Sequence, residues 1–316
     1  MPPPADAAAG VAGALAVPSR PAWRLPALRD RQVKYLLVLP AMLVVAGTAL
    51  WPLAYSLALS MRSWRLTRSP APGPFVGAAN YAQALGTAEF WQSVGTTALY
   101  VALSVSLTTA LALGLALLLS RGGRLRKAVQ TLLILPFAMS PALIGISWRF
   151  LFNPEFGLFA AVFGTLLPPL AGMNWLATPA LAFSALVMAD VWAWTPFMAL
   201  ILVGGLASLP QDTIEAAQVD GAPGWRILFE IILPQLRPVL AVVVILKTIF
   251  ALKQFDVTFM LTQGGPGQAT QSLIYYAYLN GFKYYDMGFA SAISWLMVVP
   301  MLALTLVYVR FVFRRS

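Results

Sequence analysis

The chain has 316 residues, of which 59% are hydrophobic and only 10% charged, with a net charge of +10, against roughly a quarter charged in a soluble globular domain. With a mean hydropathy of +0.77 it cannot hide its apolar surface by folding on itself, so the bilayer is its solvent, and a soluble enzyme, a disordered protein and a disulfide scaffold are excluded together. It contains no cysteine and no histidine, which removes thiolate chemistry, imidazole metal sites and the usual general bases, and leaves no catalytic set and no metal site to assign.

The first 34 residues read as a Pro- and Ala-rich tail. The apolar patch at 7–17 is preceded by Asp6 alone, where a signal peptide would carry positive charge, so a mobile tail is expected. A span needs about 20 apolar residues. Six such runs follow, at 35–57, 93–119, 128–151, 179–206, 237–261 and 287–313. Pro136 and Pro141 interrupt the third, as a hinge or as a static kink. The charge-free stretch after it is broken by Pro168-Pro169, Gly172 and Asn174, which leaves a piece too short to cross and reads as an external interfacial or re-entrant segment. Ahead of the sixth span, TQGGPGQAT lacks the GK[ST] ending of a phosphate-binding loop and reads as a tight turn. Trp64, Trp91, Trp148 and Trp175 fall near span ends, as an interfacial aromatic belt would. The expected fold is an all-α, polytopic bundle of six transmembrane helices.

Basic residues orient the bundle. Arg20, Arg24, Arg29, Arg31 and Lys34, the loop residues Arg121, Arg124, Arg126 and Lys127, then Arg226, Arg237, Arg310, Arg314 and Arg315 share one side; Arg62, Arg65, Arg68, Arg149 and Lys283 lie on the other. The excess places both termini in the cytoplasm. Because these charges are spread over short loops, they form no basic face for nucleic acid.

The connection between the fourth and fifth spans, LPQDTIEAAQVDGAPGWRILFEIILPQLRP, is unusually organised. Asp212 is placed to cap a helix carrying Glu215 with the small residues Ala216 and Ala217. Gly221 and Pro223-Gly224 break the chain, and an amphipathic piece then runs to Pro234. The result is a knob on the cytoplasmic face, formed by two short helices around a glycine corner.

The spacing of Glu215, Ala216, Ala217, Gly221, Ile231, Leu233 and Pro234 resembles the EAA loop of bacterial ABC importer permeases. The remaining chain is similar to the sugar branch of that family, related to the maltose and glycerol-phosphate systems. The matching residues are Phe75-Val76-Gly77 with Asn80-Tyr81, Leu135-Pro136, Phe152-Asn153-Pro154 with Gly157, Trp192 and Trp194-Thr195-Pro196-Phe197, Phe255-Asp256, and Gly264-Gly265-Pro266-Gly267 with Thr270. The resemblance implies a multi-pass subunit of the bacterial inner membrane, 35–316 forming the importer's transmembrane domain and 1–34 its cytoplasmic tail. It implies that Glu215, Ala216, Ala217, Asp220, Gly221, Ile231, Leu233 and Pro234 couple the chain to a cytoplasmic ABC ATPase dimer. That dimer would hold ATP and Mg, with no cofactor on this chain. The further partners implied are a second EAA-loop permease, an external solute-binding protein and membrane lipid. Disaccharides, monosaccharides, polyols and glycerol phosphate all remain open as solutes.

Charges within spans rarely face lipid. Asp190 lies about 11 residues into the fourth span, roughly 16 Å deep, and Lys247 at similar depth in the fifth. On one reading Asp190, Trp194 and Phe197 offer a carboxylate and an aromatic platform to a polyhydroxylated solute. On the other, Asp190 and Lys247 are a structural pair. Lys253, Gln254 and Asp256 add a polar face to the fifth span, on which Lys253 and Asp256, at i and i+3, are placed to pair. The alternative function is an ion-coupled secondary transporter that uses Asp190 and Lys247 as relay groups.

Overall fold

The structure is a computed structural model and describes residues 30–120, 126–166 and 173–313. The tail up to residue 29, Arg121, Arg124, the break at Pro168-Pro169 and Gly172, and Arg314 and Arg315 lie outside the described residues. Two units are distinguished, Met1–Tyr55 and Ser56–Ser316. The described part of the first is helical: α1 (Asp30–Val45), a π-helical turn at Ala46–Leu50, and the start of α2 (Trp51–Ser60). Its apolar side chains, among them Leu37, Met42 and Trp51, are exposed, as expected of a helix whose solvent is lipid.

The second unit continues through α3 (Ala79–Gly86), α4 (Ala88–Ser120), α5 (Arg126–Leu132), α6 (Ile134–Ala138), α7 (Pro141–Leu151) and α8 (Leu158–Leu166). It ends with α9 (Pro179–Ala207), α10 (Gln211–Val219), α11 (Gly224–Arg226), α12 (Leu233–Leu252), α13 (Leu273–Tyr278) and α14 (Met287–Phe313). A π-helical stretch, Ile227–Ile232, joins α11 to α12. Among the described residues, five helices are long and apolar enough to span a bilayer, and one bent pair makes a sixth candidate.

α9 is the axis of the bundle: 61% of its apolar window is buried, against at most 22% in any other span. The cause is in its residues. Ala182, Ala185, Ala189, Ala193 and Ala199 let neighbouring backbones approach closely, and α4 answers with Ser104, Thr108, Ala112 and Ala116 at four-residue spacing. α12 packs beside both, with Leu236 and Val243 fully enclosed.

Two expected spans take different forms. The third is no single rod, because Ala128–Ala138 and Pro141–Leu151 meet at 95°. Ser140 is extended, its hydroxyl accepts from the Leu143 amide, and Pro141 occupies the first turn. Proline disfavours helix in the residue before it and suits the start of a new one, so this is a restart. The continuous helix that carries the fifth begins at Gly224, upstream of the expected 237, and stops at Leu252. Pro234 and Pro238 look like breakers, yet the π-helical register just upstream accommodates Pro234, where an α-turn would crowd its ring. Because the helix ends, Lys253 and Asp256 no longer share a face, and no ion pair joins them among the described residues.

Two smaller expectations also change. Pro210, not Asp212, is the N-cap of α10, and Asp212 sits in its first turn, where a carboxylate suits the positive helix end. Trp148 is a core residue and not part of a belt. The 95° restart turns Ile144 and Trp148 inward, where Trp148 meets Phe152 and Trp192. α8, with nine residues, is too short to cross.

Gly145 sets how closely α7 approaches the 257–260 segment. A Cβ there would stand 2.7 Å from Met260 Cβ and 3.3 Å from Val257 Cα. Gly145→Val is expected to cost about 2–3 kcal/mol by overpacking, read as a lower thermal midpoint of the detergent-purified subunit. An unchanged midpoint would show that the contact is slack.

Candidate functional site

Two sites arise from this frame. The first is the 210–232 hairpin. No residue of α10 is buried; Glu215 and Ala216 are exposed and Ala217 half-buried. The helix closes through the Asp220 amide on the Ala216 carbonyl at 2.9 Å and the Gly221 amide on Gln218 at 3.0 Å. Gly221 has φ +75°, a left-handed value that costs L-residues with a Cβ about 1–2 kcal/mol, so it makes the corner. Pro223 is extended and α11 starts from it. The exposed Arg226–Glu230 pair at 3.4 Å contributes little. Of the eight residues grouped by the motif, Glu215, Ala216, Ala217, Asp220 and Gly221 thus lie on the projecting hairpin. Ile231, Leu233 and Pro234 are half-buried in the helix that anchors it.

The second site is a partly open cavity of about 360 Å³ lined by α6, α7, α9, α12 and the 253–257 segment. It brings together Asp190, Trp194, Lys253, Gln254 and Asp256, all singled out from the sequence, with the rings of Phe137, Phe250 and Phe255. Trp194 stacks on Phe250 at 4.3 Å between ring centres. Phe197 does not line the cavity but lies parallel to Phe137 at 4.1 Å and supports that wall from behind. Gln254 is fixed at one end only: Thr258 donates to its Oε1 at 2.7 Å, while its buried Nε2 has no partner among the described residues.

Lys247 is wholly enclosed. Its Nζ lies 2.6 Å from Asp190 Oδ2, with side-chain exposures of 0% and 2%, and 5.3 Å from the Trp194 ring centre. The Ser104 hydroxyl donates to the same Asp190 oxygen. One node therefore joins α4, α9 and α12, and the pairing of Asp190 with Lys247 is realised. Sequence reasoning did not find Ser104, Phe137, Phe250 or Thr258. Ser104 had a signal, the polar stripe of Ser93, Thr97, Ser104 and Thr108 along α4. Phe137 and Phe250 had none, because only the helix breaks bring them to one cavity.

Other residues of the motifs named from the sequence are held by local hydrogen bonds away from both sites. Asn80 donates to the Ser60 and Arg62 carbonyls at 2.8 and 2.9 Å, and Tyr81 and Ser60 share a 2.6 Å bond. Asn153 Oδ1 accepts from the amides of Glu155 and Phe156. The 263–270 segment is a turn closed by Thr270, which donates to the Gly265 carbonyl at 2.8 Å. It leads into α13 and not directly into the last span.

Residues 78–314 match the family model described as binding-protein-dependent transport system inner membrane component. The chain belongs to that family. The permease is 40% identical over 285 residues to the trehalose/maltose transport system permease protein of Thermococcus litoralis, covering 89% of this chain and 94% of that protein. It is 33% identical to the trehalose transport system permease protein of Mycobacterium tuberculosis over 84% of each chain. With the sn-glycerol-3-phosphate transport system permease protein of Pectobacterium atrosepticum it shares 31% identity, over 92% of this chain and 97% of that one. In fold, the permease superimposes with TM-score 0.76 on a chain from the crystal structure of a bacterial transporter that imports alginate, at 20% identity, covering 89% and 95% of the two chains. It is thus a multi-pass inner-membrane component of a binding-protein-dependent transport system.

Proposed function

We propose that the permease moves an uncharged sugar or related polyhydroxylated solute, forming half of a pathway completed by a second EAA-loop permease. A cytoplasmic ABC ATPase dimer, holding ATP and Mg, grips the hairpin at Glu215, Ala216, Ala217, Asp220 and Gly221, anchored through Ile231, Leu233 and Pro234. Both termini face the cytoplasm, the expected tail giving way to helix α1 at Asp30 rather than at 35, and an external solute-binding protein delivers the solute. ATP-driven closure acts only through contacts that differ between the inward- and outward-open states, and the exposed hairpin is suited to make them.

The observation that carries the solute class is the 360 Å³ cavity, with aromatic rings on its walls and one unpartnered amide donor. The apolar faces of a sugar ring suit Trp194, Phe250 and Phe137, and its hydroxyls suit Gln254, Lys253 and Asp256. Relatives named for trehalose and maltose supply the first solutes to try. The family membership and the closed Asp190–Lys247 pair weigh against an ion-coupled carrier, because a relay group has to exchange its partner.

The test is uptake of labelled trehalose and maltose into proteoliposomes holding the permease with its partner subunits and binding protein. Gln254→Leu is expected to raise KM by roughly 5- to 10-fold, the worth of one hydrogen bond to the solute, with ATPase activity retained. An unchanged KM would remove Gln254 from the pathway. Uptake that persists without ATP would overturn the whole reading.

A further inference from the structure

The cavity wall contains a contradiction that its occupant has to resolve. A neutral polyhydroxylated solute needs hydrogen-bond partners but no net charge beside it, and an unpaired carboxylate on a cavity wall also attracts cations. Yet Asp190 lines this cavity with only 2% of its side chain exposed. The other charges on the lining, Lys253 and Asp256, are exposed and of opposite sign. Asp190 is therefore the one enclosed charge on the wall among the described residues. Lys247 stands behind it, touches no part of the cavity, and is aimed at the carboxylate and at the Trp194 ring. Ser104 adds a donor from the third helix.

The geometry points to Lys247 as the charge-selecting residue of the pathway: by closing the Asp190 carboxylate into an ion pair behind Trp194, it leaves no unpaired buried charge on the wall, so that Asp190 gives a cationic sugar no anchor. It is a positioning residue, acting through Asp190 and Trp194 without touching the solute. This inference rests on reading the cavity as the solute pathway.

The same complex is prepared as wild type, Lys247→Met and the doubly neutral Asp190→Asn/Lys247→Met. Trehalose uptake is measured alone and against its 2-amino-2-deoxy analogue, a cation, with one and the same binding protein throughout. Selection at the binding protein then cancels between variants. Lys247→Met is expected to lower trehalose kcat by about tenfold or more and to make the cationic analogue about tenfold more effective as an inhibitor, because the stranded carboxylate now holds it. The double variant is expected to recover uptake to within about threefold and to lose the inhibitor's advantage, since two neutral side chains replace a buried pair without leaving a charge. A double variant as impaired as the single would overturn the inference, because Asp190 would then serve the solute directly. So would recovery of membrane level and uptake with no shift in inhibitor preference in either variant, the pattern of a purely structural pair.

If the wild-type complex takes up no trehalose, the solute reading fails separately, and dicyclohexylcarbodiimide labelling followed by mass spectrometry decides the inference. Asp190 is expected to be protected in the wild type and derivatised in Lys247→Met, with the cationic analogue, and not trehalose, suppressing that derivatisation. Labelling of wild-type Asp190, or equal suppression by both sugars, would overturn it.

Discussion

Glu215→Lys is expected to abolish uptake, by about a hundredfold or more, while the subunit stays in the membrane at its normal level. Both halves of this expectation follow from exposure. Glu215 is solvent-exposed on α10, with no hydrogen bond or ion pair among the described residues, and surface substitutions of that kind change folding stability by only about 0.5 kcal/mol. The resemblance to EAA loops implies a basic residue of the ATPase opposite Glu215, so the same change would place like charges together, which costs several kcal/mol, and about 2.8 kcal/mol is already a hundredfold. Immunoblotting of membranes, co-purification of the ATPase and solute uptake separate the two halves. Normal uptake in this variant would remove the hairpin from the coupling route, and loss of the chain itself would show that Glu215 serves the fold.

Trp194→Ala has the second largest expected effect, a fall in kcat/KM of about 30-fold carried mainly by KM. The ring faces the cavity, stacks on Phe250, meets Phe137 edge-on at 5.5 Å and lies over Lys247. Truncating an aromatic anchor of a binding site costs about 2 kcal/mol of binding, close to that factor. Trp194→Phe keeps a flat ring and is expected to stay within about fivefold of wild type. Equal losses in both variants would mean that the indole is needed for packing alone. A loss confined to kcat would place Trp194 in the conformational cycle and not in solute contact.

The spans, the hairpin and the Asp190–Lys247 pair were legible because each depends on local pattern. Long apolar runs fix helices in lipid; Glu215 to Gly221 is a contiguous motif; two charges at equal depth in neighbouring apolar helices have few partners but each other. What was hidden depends on where helices stop. Residues 237–261 read as one apolar run, and nothing in that run announces that the chain leaves the helix at Lys253. The stop separates Lys253 from Asp256 and turns both, with Gln254, toward the cavity. Pro141 was visible as an interruption, but a proline that kinks a helix and one that starts a new helix look alike until Ser140 is seen extended and capping. Pro234 misled in the opposite direction, since the π-helical register that accommodates it has no sequence signature.

The restart at Pro141 also bears on what a polar solute would meet inside the bundle. A helix that ends leaves its last carbonyls without intrahelical donors, and in hydrocarbon each such group costs several kcal/mol, so a broken segment is tolerated only against protein or a hydrated hollow. α6 ends at Ala138 and α12 at Leu252, and residues adjoining both ends, Phe137, Met139, Lys253 and Gln254, line the same cavity. Two helix ends facing one chamber give it main-chain carbonyls as well as side chains with which to meet a polar guest. On the proposed function, a sugar passing through that chamber would exchange its hydration shell for this lining one hydroxyl at a time, and would at no step be stripped bare.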